Sequence, residues 1–182
     1  RIIKGNLRSV DIARVETPNN LYFSFNIIGW GLVADAGYLA EYFRLLGGLR
    51  YDVASILEVL RGKRRIARLI LDEEVVEDDF VFVIACNTIH TGKAMRIAPK
   101  SKFDDGKIDL IIVRNTSKTE LLKLFPKLFT GEHVKSKLVE YRQVQKFSII
   151  PDENSSLNID GELIGITPVH VTMEPKRIHV LV

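Results

Sequence analysis

Apolar and polar residues alternate with a period of two along much of this chain, the pattern of strands buried on one face. Val10, Ile12 and Val15 mark residues 9–16. The stretch LYFSFNII marks 21–28, after the turn residues Pro18-Asn19-Asn20. Residues 66–71, 80–86 and 108–113 read as three more strands, with the acidic run 72–79 holding a turn between the first two. Short strands over 143–150, 156–160, 170–173 and 178–182 close the chain at a spacing of roughly 8–12 residues, as in a sandwich or barrel.

Three segments change to helical period. Over 39–46, Leu39, Tyr42, Phe43 and Leu46 share one face, and Gly47-Gly48 stops the helix. Over 52–60 the face is Val53, Ile56, Leu57 and Leu60. Over 119–129, Ser117 and Glu120 stand at capping-box spacing before Leu121, Leu124, Phe125 and Leu128, and Pro126 interrupts the helix. The helices do not alternate regularly with the strands. The predicted fold is therefore α+β: a mainly antiparallel β-sandwich with flanking helices. With 182 residues, 46 % of them hydrophobic, and no Gly-, Ser- or Pro-rich linker, one domain with a full core is expected.

Composition narrows the function classes. No apolar run reaches the roughly 18–20 residues of a membrane span, and Arg1-Ile2-Ile3-Lys4 opens no secretory signal. The single Cys86 excludes an internal disulfide and suits a reducing, cytoplasmic compartment. Four scattered histidines lack zinc-site spacing. The net charge of +3 is mild, but Arg61, Lys63, Arg64, Arg65 and Arg68 crowd one stretch. Such a run meets phosphates of a nucleic acid, a nucleotide or an anionic membrane, or, more commonly, is a solvated strand edge. The chain starts at Arg1 without an initiator Met and is expected to be a cut-out portion of a longer protein.

Four stretches carry candidate chemistry. In GWGLVADAG, Asp35 stands before a predicted helix; it either caps that helix, the simpler use, or faces a polar ligand group. In EYFRLLGGLRY, Arg44 and Arg50 flank a Gly-Gly bend. They either converge on one anion or leave an ordinary Glu41–Arg44 surface pair. Asp104-Asp105-Gly106 is a turn that can also wrap a hard cation. In NIDGELIG, Asp160 and Glu162 project around Gly161; they either decorate a solvated turn or hold magnesium near phosphates, with Glu162 alternatively a general base.

The order of these stretches, with Asn87 and Ala98-Pro99 between them, resembles the C-terminal domain of diacylglycerol kinase-type lipid kinases, a superfamily that includes sphingosine and ceramide kinases. The resemblance runs from about residue 9 to 182, and its front half looks most like sphingosine kinases. It implies the lipid-binding half of an ATP- and Mg²⁺-dependent kinase, with the active site in a cleft against a separate N-terminal domain. The glycine-rich nucleotide loop of that domain is absent here, so this piece alone is expected to be inactive or nearly so. Residue by residue, the resemblance implies that Arg44, Arg50, Asp160, Gly161 and Glu162 contact nucleotide phosphates, and that Glu162 accepts the proton. It gives Asp35, Leu32 and Val33 to the lipid, and Asp105 with the carbonyls of Lys102 and Lys107 to a structural magnesium. It also implies a dry tail slot opened between the sheets. The further acid that sphingosine kinases carry two positions after Asp35 is Gly37 here, which weakens amino-diol recognition, and Thr91-Gly92-Lys93 replaces a bacterial glycine cluster. The implied partners are a lipid, the missing N-terminal domain and a membrane surface met peripherally. Nucleic acid is not among them, and homodimer formation stays open. A soluble NAD kinase-like enzyme and a non-catalytic lipid-binding module are the competing readings.

Overall fold

The structure is a computed structural model and describes residues 5–92 and 95–181. Its spine is β5 (Glu74–Cys86), which the alternation showed only from residue 80. Residues 74–80 pair with β4 (Arg65–Leu71), residues 82–86 with β3 (Ile27–Gly31), and residues 80–86 with β6 (Ile108–Arg114), always antiparallel. One wing continues from β3 through β9 (Ser156–Ile159) to β10 (Glu162–Ile166). The other runs from β4 through β8 (Lys146–Pro151), β11 (Val169–Leu181) and β1 (Leu7–Glu16) to β2 (Leu21–Ser24). β7 (Val139–Val144) extends β6. The expected α+β, mainly antiparallel architecture with flanking helices is observed, its strands joined in one curled sheet.

Residues 80–86 of β5 are buried on both faces, which is why that stretch reads as a continuous apolar run. Val83 and Ala85 enter an inner core with Trp30, Leu69, Leu110, Ile149 and Val171, where the two wings close on each other. Phe82, Ile84 and Cys86 face outward against Val59, Leu121 and Leu124 of the helices. Helices α1 (Leu32–Tyr42) and α2 (Arg50–Arg61) pack on each other through Ala36, Ala40 and Ala54. Helix α3 (Lys118–Leu124) is capped by Ser117, which accepts from the Glu120 amide, and a short α4 (Lys127–Thr130) follows Pro126.

Several expected boundaries move. The first helix starts at Leu32 rather than 39, and Arg44–Leu49 is a 3-10 segment kinked at Gly47. Its buried face is Ala34, Ala36, Gly37 and Ala40, while Tyr42 and Leu46 are exposed. Small residues allow the two helices to approach closely, and a count of large apolar side chains misses them. In α2 the buried positions are Ala54, Glu58 and Val59, with Ile56 and Leu60 exposed. The 21–28 stretch breaks at Phe25-Asn26 into β2 and β3, 143–150 breaks at Gln145 into β7 and β8, and the two last predicted strands are the single β11. The basic run is mostly neutralised: Arg61 pairs with Glu58, Lys63 and Arg65 with Asp35, and Arg68 with Glu77.

His133, fully buried in the 3-10 segment Glu132–Lys135, donates Nε2–H to the Ile97 carbonyl at 2.9 Å. Burial holds its pKa below the ordinary 6.5. A base depressed in the folded state contributes stability that is present above its unfolded pKa and lost as pH falls toward the folded value. Urea denaturation should show stability declining from about pH 7.5 to about 5.5. The decline should be smaller in His133→Gln; an equal slope in both proteins would assign it to other groups.

Candidate functional site

A groove of about 710 Å³ opens between the helices and the outer face of the sheet. Phe82 and Ile84 of β5 form its floor, Leu32 and Val33 of α1 one wall, and Leu121, Leu124 and Leu128 another. Its size lies in the range of small-molecule sites. This groove does not lie between the sheets, where a slot was expected; that interior is filled by the packed inner core. Leu32 and Val33 line the groove.

The mouth is polar. Gly47, Gly48 and Arg50 stand on one side, and Asn26, Asn158, Asp160 and Gly161 on the other. Asp160 and Gly161 both take positive φ, 52° and 94°, and make the tight turn of the β9–β10 hairpin. They sit on that turn rather than within a strand. The Asp160 carboxylate is occupied by the chain itself. Oδ1 accepts from Ser24 Oγ at 2.8 Å, Asn26 N at 2.9 Å and Ile27 N at 2.8 Å; Oδ2 accepts from Phe25 N at 2.8 Å. This one side chain holds the β2–β3 corner against the hairpin. Glu162, the next residue after Gly161, is exposed at the start of β10 and does not line the groove.

Arg50 is half-buried. Its guanidinium stacks over the Tyr51 ring at 4.8 Å and donates to Tyr51 Oη at 3.1 Å. Arg44 is exposed outside the groove and donates Nε–H to Glu41 at 2.9 Å, so the ordinary surface pair is present. Glu41 also lies 4.0 Å from Arg50, so two guanidinium groups face one carboxylate. Arg44 above all, then Arg50, holds the Glu41 pKa below the usual carboxylate range.

Asp35 departs from both sequence readings. Gly31, at φ 81°, takes the N-cap position, where a Cβ would stand 2.5 Å from the Val81 carbonyl oxygen. Asp35 lies within the first turn, pairs with Arg65 and Lys63, and does not line the groove. Asp105 sits on an exposed turn where its Oδ1 accepts from Lys107 N at 3.1 Å; Lys102 and Lys107 flank it at the surface. That turn is anchored from below by Asp11, a fully buried acid that the sequence reading passed over. Asp11 accepts from Gly106 N at 2.6 Å and Lys176 N at 2.7 Å. It lies where the β1–β11 register shifts between Val10 and Ile12; in the sequence it fills an ordinary polar place of the alternation, so the local pattern does not mark it. Asn158 was also missed; it lies two residues before Asp160, on the strand that ends in the acidic turn. Among the described residues, no group of three or more His, Cys, Asp or Glu side chains is placed to hold a metal.

The model of the YegS C-terminal NAD kinase beta sandwich-like domain matches residues 26–182. The chain belongs to that family. It is similar to sphingosine kinase 2 of Arabidopsis thaliana, with 27 % identity across 90 % of this chain and 44 % of that protein. It is likewise similar to diacylglycerol kinase of Bacillus subtilis, with 26 % identity across 99 % of this chain and 59 % of that one. The crystal structure of a diacylglycerol kinase from Bacillus anthracis has the same fold, with a TM-score of 0.72, 21 % identity and coverage of 99 % and 58 %. This YegS-type domain thus spans about half the length of the curated relatives it matches. Among its described residues, no helix is long and apolar enough to cross a membrane.

Removing the Asp160 carboxylate takes away four acceptor contacts at once. Asp160→Ala should lower the unfolding free energy by about 2–4 kcal/mol in urea titrations. A loss below about 0.5 kcal/mol would show that the corner holds without it.

Proposed function

We propose that this YegS-type domain is the lipid-holding half of an ATP-dependent lipid kinase. The observation that carries the reading is one continuous site: a largely apolar groove of about 710 Å³, with Arg50 and the Asp160-Gly161 turn at its mouth. Burying a chain contributes about 0.8 kcal/mol per CH₂, so the groove supplies the lipid affinity. A dinucleotide, as in the NAD kinase-like reading, would need polar walls where this groove has Phe82, Ile84 and Leu124.

In this reading the lipid hydroxyl waits at the mouth. Its oxygen bonds to the γ-phosphorus as the bond to the ADP oxygen breaks, and its proton passes to Glu162. Asp160 positions the rim through the 24–27 corner. Arg50 and Arg44 present guanidinium forks to nucleotide phosphates, with the Glu41 carboxylate marking in this structure a position where two arginines meet one anion. Bound magnesium would screen the phosphate charge. The exposed Asp105 carboxylate, with the carbonyls of Lys102 and Lys107 from the same turn, is a hard-oxygen set suited to a second, structural magnesium. The glycine-rich half of the nucleotide site belongs to a separate N-terminal domain, and the domain alone transfers phosphate poorly or not at all.

The mouth also carries the reading of a peripheral membrane protein. Tyr38, Tyr42, Leu45, Leu46 and Leu49 are exposed on α1 and the segment that follows it, beside Arg44. Apolar side chains with flanking cations suit an anionic lipid surface, and they lie next to the groove that would receive the lipid.

In the complete enzyme, Arg50→Ala should lower kcat/KM for ATP about 10- to 100-fold while leaving the urea midpoint nearly unchanged. Glu162→Gln should lower kcat by about 100-fold or more. Lipid kinase assays with labelled ATP read both, and full activity in either variant removes that residue from the mechanism. Leu45→Asp with Leu49→Asp should weaken sedimentation with vesicles containing phosphatidylglycerol about tenfold. Unchanged sedimentation would place the membrane contact elsewhere.

A further inference from the structure

The polar groups at the mouth carry a second message, resting on the lipid reading above: among the described residues, the groove lining offers no carboxylate that is not already engaged by the chain. Two acids, Asp52 and Asp160, line the groove; Asp35 and the exposed Glu162 lie outside the lining. Asp35 is turned away onto Arg65 and Lys63. Asp160 already accepts four hydrogen bonds from the 24–27 corner. Asp52, in the first turn of α2, is partnered as well. Arg50 adds a positive charge to the same lining. An ammonium brought here would lose water without gaining a carboxylate, which is costly.

What the mouth offers instead is a donor. Asn158 is only 6 % exposed and lines the groove. Its Oδ1 accepts from Gly161 N at 3.0 Å, and this bond sets which way the amide faces. Nδ2 therefore points away from the turn and finds no hydrogen-bond acceptor among the described residues. It lies against the bare Cα of Gly37, where a Cβ would come within 3.2 Å of it. Gly37 is also part of the groove wall, so the amide is open to an occupant. An amide N–H₂ on the groove lining without a protein acceptor is a donor ready for an oxygen of an occupant.

We propose that Asn158 Nδ2 selects a neutral lipid head group bearing ester or hydroxyl oxygens, of the acylglycerol class, over a long-chain primary amine. The acceptor oxygen takes the Nδ2 hydrogen while the hydrocarbon chain fills the groove past Phe82 and Ile84.

The test compares monooleoylglycerol with oleylamine as competitors of a fluorescent monoacylglycerol bound to the 182-residue chain, below their micellar concentrations. Monooleoylglycerol should bind about tenfold tighter or more. Asn158→Asp keeps an acceptor for Gly161 N and places a carboxylate oxygen at the Nδ2 position; it should erase or reverse the preference. The parent comparison stands even if that variant fails to fold. Equal or tighter binding of oleylamine by the parent overturns this inference and leaves the apolar groove as a lipid site. An Asn158→Asp protein that folds and keeps the parent preference overturns the role of Asn158. Binding of neither lipid overturns the lipid reading and this inference with it.

Discussion

Burial of residues 80–86 of β5 on both faces is the constraint from which the rest of the molecule follows. Because Val83 and Ala85 face one core and Phe82, Ile84 and Cys86 the other, the strand must have protein on each side. The inner side is filled by the second wing of the sheet. The outer side is covered by helices, and there the packing leaves a groove lined by that strand. Charge and loop chemistry are arranged around that asymmetry.

Buried or saturated carboxylates then set the rim. Asp160 ties the β2–β3 corner to the β9–β10 turn, and Asp11 ties the Asp105 turn to β1 and β11. In each case the acceptor belongs to a distant segment and most of the donors are backbone amides, so a single side chain sets the relation of two loops. A carboxylate used in this way cannot also serve a ligand, and this changes how the acidic motifs are read. Asp35 and Asp160 look alike as candidate ligands in the sequence. In the fold one neutralises Arg65 and Lys63, and the other organises backbone. The positive side of the mouth is treated differently: Arg50 is supported by Tyr51 and kept beside the groove.

Much of the fold was legible from local pattern. Period-two alternation located most of the strands because each has one face in a core, and Ser117 with Glu120 announced α3 through a cap that depends on neighbouring residues alone. The motif order placed the chain among lipid kinase-like domains, and the family match agrees. The start of α1 was not legible, because its buried face is Ala34, Ala36, Gly37 and Ala40, and small residues give little hydrophobic signal until a second helix is known to lie against them.

The sequence by itself determined the residue types that can do chemistry: the arginines around Gly47-Gly48, the acids around Gly161 and the apolar strands beneath them. Only tertiary structure decided which of these meet. It brought Arg50 and Asp160, separated by more than half of the chain, to one groove mouth. It put the groove outside the sheet rather than inside it, and set Asn158 on its lining. Those outcomes depend on which donors reach which acceptors after the chain has folded, and hydrogen-bond satisfaction between distant segments leaves no periodic trace in the order of residues.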